Sequence, residues 1–428
     1  MATEQINCAQ LHGRADVKGM VDLPFLTGFY FAFRLFIMLL SVRLLGMEPQ
    51  AGVEVSFAIN IAFLVLALFS SPANPVLPAR QILRLPSVKW ALLFLGFSAC
   101  SLLWTSAPSM SAAIGYWFGM AADVAIVFLL LRMDSPSRVV PSLMQGFVWG
   151  TCAIALIAWM LPTQSDLRLG DEELLGPNQI GYLCGFGFFI AQYLERIKKG
   201  IWTIASLLLV VTLLRTLSKT TIAALLIAGL FLLLRDRGVS RKSRLWIGFI
   251  TLVVVAFFWS LIVSYADVYA SAGNQSETLS GRFSIWAIIF AEAIQQPWIG
   301  HGFHSVWKVI PPIGPDQFEA RHAHNELLQQ FYAYGVVGIL LFIGVYGSFY
   351  RCLRRLPPGS IKTFFYSLLL FVLIRGFADT EAFDLSLPLW AIVSFSVVIE
   401  KSLNEFAPPA NQRVDLKRSE TIGVSELS

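Results

Sequence analysis

The residues best suited to chemistry gather in one stretch of the chain, residues 280–338. It contains four of the chain's five histidines and three cations: His301, His304, His322, His324, Arg282, Lys308 and Arg321. A neutral imidazole can accept a proton from a hydroxyl near neutral pH. A guanidinium group binds phosphate oxygens, with two parallel hydrogen bonds in the best geometry. This stretch is therefore the candidate active site.

Arg282 begins a segment with the apolar spacing of an amphipathic helix. The segment 282–296 has apolar residues at Phe283, Trp286, Ile289, Phe290, Ala293 and Ile294. This periodicity predicts a helix that Ser280 and Gly281 begin and Pro297 ends. An arginine in the first turn lies beside unpaired N–H groups, which suits phosphate. The alternative is a solvated arginine or one that contacts lipid headgroups.

His322 and His324 form a His-x-His pair, which on an extended segment places both rings on one face. Such a pair suggests zinc, but the stretch has no cysteine. Its carboxylate candidates are only Asp316, Glu319 and Glu326, so a metal site is a weak alternative. We predict no metal and no cofactor, and the other alternative is histidines that merely hydrogen-bond at an interface.

The composition determines the environment of this stretch. The chain has 428 residues, of which 56% are hydrophobic and 14% charged, whereas soluble domains carry roughly 25% charge. A polytopic membrane protein is predicted. The net charge of +5 is concentrated in short clusters between apolar runs, which argues against a nucleic-acid partner. The five cysteines show no disulfide or redox spacing.

We predict an all-α fold with about twelve transmembrane helices, since about 20 apolar residues cross a bilayer. The runs lie at 24–45, 54–70, 89–104, 112–131, 141–161, 178–194, 201–215, 218–234, 245–264, 326–349, 362–378 and 385–400. Spans one to nine thus occupy 24–264 and spans ten to twelve occupy 326–400. We expect no cleaved signal sequence, because the apolar run after residue 23 has no cleavage pattern.

The basic residues set the expected orientation. Lysine and arginine clusters follow spans two, four, six, eight and ten, whereas loop 104–111 is uncharged and loops 165–176 and 379–384 are mainly acidic. By the positive-inside rule, segment 1–23 and a disordered tail at 401–428 are cytoplasmic. The long loop 265–325, with its amphipathic helix, then faces the periplasm of a bacterial inner membrane.

Cations also occur at the predicted outer ends of other spans. Arg215 and Lys219 belong to the hairpin between spans seven and eight, and Arg375 lies near the end of span eleven. Such groups tend to face the interior of a bundle. The alternatives are an ion pair of Arg375 with its acidic neighbours and snorkelling of Arg215. Arg34 and Asp123, near mid-depth of spans one and four, are predicted to pair with each other or with backbone carbonyls.

Several motifs together resemble the O-antigen ligase and polymerase superfamily. They are Gly-Arg-x-x-x-Trp at 281–286, PWIGHGF at 297–303, AHNELLQQFYAYGVVG at 323–338, SKTTIAALL from Ser218 and GPNQIGYL from Gly176. In its length and in the sequence of its last loop, the chain is more similar to exopolysaccharide polymerases than to lipopolysaccharide ligases. The likeness covers the second half of the chain in sequence and the first half only in its layout of spans.

The resemblance implies a metal-independent, inverting glycosyltransferase that uses a glycan on undecaprenyl diphosphate. Arg282 matches the arginine at the helix start and His324 the histidine of the His-Asn element, so these two are the candidate catalytic residues. The candidate diphosphate ligands are Arg215, Lys219, Arg282 and Arg375. Lys219 departs from a common Ser-Arg pattern, because lysine lacks the bidentate fork of arginine. The supporting candidates are His322, Glu326, Asn325 and Arg321.

The leading hypothesis is a polymerase that joins lipid-linked repeat units onto a growing glycan at the periplasmic face, with membrane lipids and a chain-length regulator as partners. A ligase that moves the glycan to lipid A core or to a protein differs only in its acceptor. A transporter or flippase is the alternative of another class, but we find no internal repeat of the kind common in transporters. A non-catalytic assembly subunit would not need His324.

Overall fold

A computed structural model describes residues 22–161, 168–171, 175–197, 200–236, 240–257, 259, 263, 279–306, 309, 322–380 and 386–405. Fourteen helices lie within these residues. They are α1 Leu23–Arg43, α2 Pro49–Phe69, α3 Ala79–Leu83, α4 Pro86–Ser101, α5 Met110–Met133, α6 Pro136–Met160, α7 Pro177–Ile197, α8 Trp202–Thr216, α9 Lys219–Arg235, α10 Arg241–Phe257, α11 Leu279–Ala293, α12 Glu326–Arg354, α13 Ser360–Ala378 and α14 Ser386–Glu405. The only β-type pairing in this part of the chain is one isolated bridge, Asp171–Leu175.

The predicted all-helical class is confirmed, and each of the twelve apolar runs contains a helix. Six helical segments of the described chain are long and apolar enough to cross a membrane: 23–43, 51–69, 110–133, 136–160, 326–354 and 360–378. The chain is thus a multi-pass membrane protein by length and composition, while the full count of twelve spans stays a prediction. The amphipathic helix predicted at 282–296 is α11, which begins at Leu279.

Glycines let α1 and α6 pack backbone to backbone. A Cβ on Gly28 would lie 1.8 Å from the Leu143 carbonyl oxygen, and one on Gly146 would lie 1.9 Å from that of Phe25. Lipid supplies no hydrophobic force between helices, so such close van der Waals contact drives their association. The α1–α6 pair therefore fixes the first half of the bundle.

The predicted pairing of Arg34 with Asp123 is confirmed. Arg34 Nη1 lies 2.6 Å from Asp123 Oδ2, and Asp123 is fully buried. Asn60 Nδ2 donates to the other carboxylate oxygen at 3.2 Å. A buried carboxylate is tolerated only when it is paired and hydrogen-bonded. The three residues tie α1, α2 and α5 together inside the bundle.

Helix α12 is broken at Gly335, whose φ of 63° and ψ of −153° are not helical. The PWIGHGF segment repairs the break. The N–H groups of His301 and Gly302 donate to the carbonyls of Tyr332 and Ala333, at 3.0 and 2.8 Å. Backbone groups at membrane depth must be hydrogen-bonded within the protein, so this segment satisfies groups that the break would leave unpaired.

The same segment also serves the far side of the break. Val336 N–H donates to the Pro297 carbonyl at 2.8 Å, and Val337 N–H to that of Trp298 at 3.3 Å. A Cβ on Gly335 would lie 2.4 Å from the Trp298 carbonyl carbon. Glycine is therefore required here both for its positive φ and for the close approach of the loop.

Helices α9 and α13 run antiparallel. Ser360, at the start of α13, donates a hydrogen bond to Asp236, which follows α9. Asp236 also pairs with Arg196 at 2.9 Å. The basic clusters that we predict to be cytoplasmic lie at this end of the bundle. The start of α9 and the end of α13 therefore lie together at the opposite end.

Candidate functional site

The site begins at the N-terminus of α12. Asn325 is the N-cap, and its Oδ1 accepts from Leu328 N–H at 3.0 Å. Its Nδ2 donates to the Phe377 carbonyl at 2.9 Å. Asn325 thus fastens α12 to the last turn of α13, and it places the preceding residue, His324, beside the end of α13. His324 has a φ of 48°, a strained value for a residue other than glycine, and strain of this kind concentrates at functional sites.

His324 contacts a carboxylate that follows α13. Its Nδ1 lies 3.2 Å from Asp379 Oδ1. The other oxygen of the same carboxylate, Oδ2, accepts from Arg375 Nη2, also at 3.2 Å. The alternative considered from the sequence, an ion pair of Arg375 with an acidic neighbour, is thus present with Asp379. One buried carboxylate links the candidate base to a candidate cation.

Asp379 is only 1% exposed. Burial by itself raises the pKa of this carboxyl, but the Arg375 guanidinium and the hydrogen bond with His324 lower the pKa well below its ordinary range. Asp379 is therefore ionised at physiological pH. An ionised carboxylate can only accept a hydrogen bond, so His324 Nδ1 carries the hydrogen that it donates to Asp379. This tautomer leaves the Nε2 lone pair of His324 available to accept a proton.

Arg375 retains an unused donor. The residue is 4% exposed, and its guanidinium lies over the Tyr182 ring at 4.1 Å from the centroid. Its buried Nε has no hydrogen-bond partner within the described part of the chain. A buried donor without an acceptor is costly and needs an explanation. A ligand oxygen at this position would supply the acceptor.

A small open crevice lies beside Arg375. It is lined by Arg375 and Glu326 on its polar side and by rings such as Tyr182 and Phe342 on its apolar side. Glu326 is 4% exposed, and its Oε1 accepts from Gln330 Nε2 at 2.8 Å. The crevice therefore offers one wall to polar groups and another to hydrocarbon.

Arg282, which belongs to α11, contacts the end of α13. It lies in the first turn of α11, as predicted, and its Nη1 donates to the carbonyl of Ala378. The helix is held by Ile285, Ile289 and Ala293, which form a small core with Tyr332 of α12. Of the predicted apolar positions, Ile289 and Ala293 face this core, whereas Phe283, Phe290 and Ile294 are exposed. This packing holds Arg282 against the residue that precedes Asp379.

His322 lies beside His324, with the two ring centroids 4.1 Å apart. Burial, followed by repulsion from His324, lowers the pKa of His322 to about 3. One ligand atom from each of His322, His324 and Asp379 lies within 4.8 Å of the others, a grouping that could hold a metal ion. Asp379 was not among the metal-ligand candidates predicted from the sequence. Of the three carboxylates considered from the sequence, Asp316 and Glu319 lie outside the described residues.

The other two histidines of the stretch pack against aromatic rings. His301 stacks on Tyr332 with centroids 4.4 Å apart, and its Nε2 lies 3.1 Å from the Glu292 carbonyl. His304 lies 4.7 Å from the Tyr116 ring, and burial lowers its pKa to about 4. His301 belongs to the segment 297–303 that pairs with α12, and His304 follows that segment directly, so the geometry gives both a structural place.

Arg215 and Lys219 flank the turn between α8 and α9. The antiparallel packing of α9 and α13 places this turn at the same end of the bundle as Asp379. A further cation that the sequence did not single out, Arg168, is 4% exposed there. It donates to the Thr216 carbonyl at 3.2 Å and to Asn178 at 2.8 Å. Arg168 thus joins the Gly-Pro-Asn motif to the turn.

The supporting candidates have separate outcomes. Asn325 caps α12 and Glu326 lines the crevice, while Arg321 and Lys308 lie outside the described residues. Arg282, His324, Arg375 and Asp379 are brought together by direct contacts. The sequence predicts Asp379 only as one of the acidic neighbours that could pair with Arg375. Tyr182 was also missed, although it belongs to the GPNQIGYL motif that carried part of the resemblance.

The chain is similar to known proteins in two comparisons. Residues 204–343 match the family model described as O-antigen ligase. The chain is also 24% identical, over 324 residues, to the exopolysaccharide production protein ExoQ of Rhizobium meliloti (strain 1021), a match that covers 69% of this chain and 73% of that protein. Together the two matches confirm the predicted resemblance of the chain to the O-antigen ligase and polymerase superfamily.

Proposed function

We propose that the protein is a polysaccharide polymerase that joins glycan repeat units carried on undecaprenyl diphosphate. The observation that carries the proposal is the contact of His324 with Asp379 beside two arginines, Arg375 and Arg282. A base held by a carboxylate and a group of cations are what transfer from a diphosphate to a sugar hydroxyl requires. The family match and the exopolysaccharide relative support this class of reaction.

In the proposed reaction, His324 Nε2 accepts the proton of the acceptor hydroxyl. The acceptor oxygen forms a bond to the anomeric carbon, and the bond from that carbon to the phosphate oxygen breaks on the opposite face, which inverts the configuration. The electron pair leaves with undecaprenyl diphosphate. When His324 takes this proton it becomes an imidazolium ion. The Asp379 carboxylate, which accepts the hydrogen bond from Nδ1–H, stabilises that ion.

Cations balance the charge of the leaving diphosphate. We assign this role to Arg282 and to the unpartnered Nε of Arg375, with Arg215 and Lys219 in the neighbouring turn. Preorganised cations stabilise developing negative charge without a metal ion. The apolar wall of the crevice would accommodate the first isoprene units of the lipid. The proposed side is the periplasmic face of an inner membrane, with both chain termini in the cytoplasm, because the basic clusters lie at the opposite end of the bundle.

The test compares purified wild type with His324→Ala and with His301→Gln, a matched histidine variant outside the site. Each receives a synthetic undecaprenyl-diphosphate repeat unit in the presence of EDTA, and the length of the glycan and the released lipid diphosphate are measured. We expect elongation by wild type and by His301→Gln, and binding of donor without elongation by His324→Ala.

Two other outcomes would change the proposal. If wild type elongates nothing but transfers the glycan to added lipid A core, the protein is a ligase with the same chemistry. If His324→Ala elongates at the wild-type rate, then His324 is not the base.

A further inference from the structure

The arrangement of His322, His324 and Asp379 is that of a metal-ligand set. Zinc bound by nitrogen and oxygen at about 2.0–2.1 Å in a tetrahedron separates neighbouring ligand atoms by roughly 3.3 Å. His324 Nδ1 and Asp379 Oδ1 lie 3.2 Å apart, which already matches. One ligand atom from each of the three residues lies within 4.8 Å of the others, close enough for a single ion to contact all three after a side-chain adjustment.

The surroundings hold the carboxylate in place. Arg375 Nη2 binds Asp379 Oδ2 at 3.2 Å, and Thr380 N–H donates to Oδ1 at 3.0 Å. Carboxylate ligands in metal sites are commonly fixed by such outer hydrogen bonds. The Arg375 interaction leaves Oδ1 directed toward His324. The positive charge of Arg375 and Arg282 opposes a divalent cation, so binding is expected to be reversible rather than very tight.

We propose that His322, His324 and Asp379 form an inhibitory site for a divalent transition-metal ion of the zinc class. The inhibitory part of this inference depends on the proposed function, whereas the binding part does not. Two imidazoles and one carboxylate suit zinc, cobalt or nickel, while Mg²⁺ and Ca²⁺ prefer sites built of oxygen ligands. The ion is therefore a competitor of the reaction and not a cofactor.

The inhibition follows from the chemistry of one imidazole ring. Without metal, Nδ1–H donates to Asp379 and the Nε2 lone pair is available to accept a proton. A metal ion on Nδ1 takes that lone pair and displaces the proton, so the neutral ring carries its hydrogen on Nε2. A ring in that state can donate a hydrogen bond from Nε2, but it has no lone pair there with which to take the proton of an acceptor hydroxyl.

Cobalt is the probe for the site, because bound Co²⁺ absorbs visible light and reports its ligands. The purified protein is titrated with Co²⁺ in detergent, with no glycan present. We expect an absorption band that saturates at one Co²⁺ per chain. Zn²⁺ should displace the cobalt and abolish the band, whereas a large excess of Mg²⁺ should leave it unchanged. His322→Ala and His324→Ala should each weaken binding at least about tenfold, since even an outer-shell partner contributes that much. His301→Gln should bind as wild type.

Two results would overturn the metal site: no saturable band, or the same affinity in His322→Ala, His324→Ala and His301→Gln. The inhibitory part is tested by adding Zn²⁺ to the elongation assay, where we expect loss of activity that EDTA reverses. Elongation at an undiminished rate with the site saturated would contradict inhibition and leave the binding intact. A wild type that elongates nothing even with EDTA would instead count against the proposed function, since the cobalt titration is judged without it.

Discussion

His324 Nδ1 lies 3.2 Å from Asp379 Oδ1, although 55 residues separate the two in the chain. The contact joins the loop before α12 to the residue after α13. It depends on Asn325, which caps one helix and bonds the last turn of the other. The proposed base and the carboxylate that contacts it are therefore supplied by two different helix ends, which one asparagine holds together.

Asp379→Asn should lower the turnover number by on the order of 10²–10⁴-fold, the usual contribution of general base catalysis. The amide removes the charge that stabilises the imidazolium formed on His324 during the proposed reaction. Elongation rates with saturating donor check this effect. Asp134→Asn, in an ion pair whose carboxylate side chain is 49% exposed, is the control. A turnover number within twofold of wild type would remove Asp379 from the mechanism.

Gly335→Ala should destabilise the protein by about 1–3 kcal/mol, because a residue other than glycine is strained at its φ of 63°. The added methyl group would also overlap the Trp298 backbone. Gly347→Ala, in the same helix with no atom within 4 Å of its Cβ position, should be neutral or slightly stabilising. Thermal unfolding of both variants in detergent makes the comparison. Equal melting temperatures would show that the loop does not repair the break.

Arg34→Met should cost about 3–5 kcal/mol, since it leaves Asp123 buried without its cation. The double variant Arg34→Met/Asp123→Leu should recover a large part of that loss, because no charge then stays buried. Arg355→Met, whose partner Glu400 is 24% exposed, should change stability by less than about 1 kcal/mol. Denaturation of the four proteins in one detergent tests the series. A double variant as unstable as Arg34→Met would contradict the explanation.

His304 should make the protein less stable in acid. Its pKa in the folded protein is about 4, whereas an unfolded histidine titrates near 6.5. Between these values the unfolded chain binds a proton that the folded protein does not, so stability decreases as the pH falls through this window. His304→Phe keeps a ring against Tyr116 and removes the proton. The melting temperature of the variant should therefore decrease less than that of wild type between pH 7 and pH 5.

Several features were predictable because they depend on local sequence. Apolar runs predicted the helices, and the 3.6-residue spacing from Phe283 onward predicted α11 to within three residues of its start. The Arg34–Asp123 pair followed from the cost of isolated charges in hydrocarbon. Arg282 and His324 were predicted to share a site through the family motifs, and the contacts place both beside the end of α13.

Other features depend on where distant segments meet. Three acids follow Arg375, and no spacing rule shows that Asp379 is the one that contacts His324. The break at Gly335 was missed because AYGVVG has the periodicity of an unbroken helix. The hydrogen bonds that replace those of a continuous helix go to the carbonyls of Pro297 and Trp298, which lie far away in the sequence. Tyr182 was missed for the same reason, since its contact with Arg375 joins α7 to α13.

The interruption of α12 has a consequence for how the chain tolerates change in length. In an uninterrupted helix, one inserted residue rotates everything before it by about 100°, which would turn His324 away from Asp379. Here the part of α12 that precedes Gly335 takes its orientation from the loop at Pro297–Gly302 and from the end of α13. A change in the length of the part that follows would therefore leave the contact of His324 with Asp379 in place.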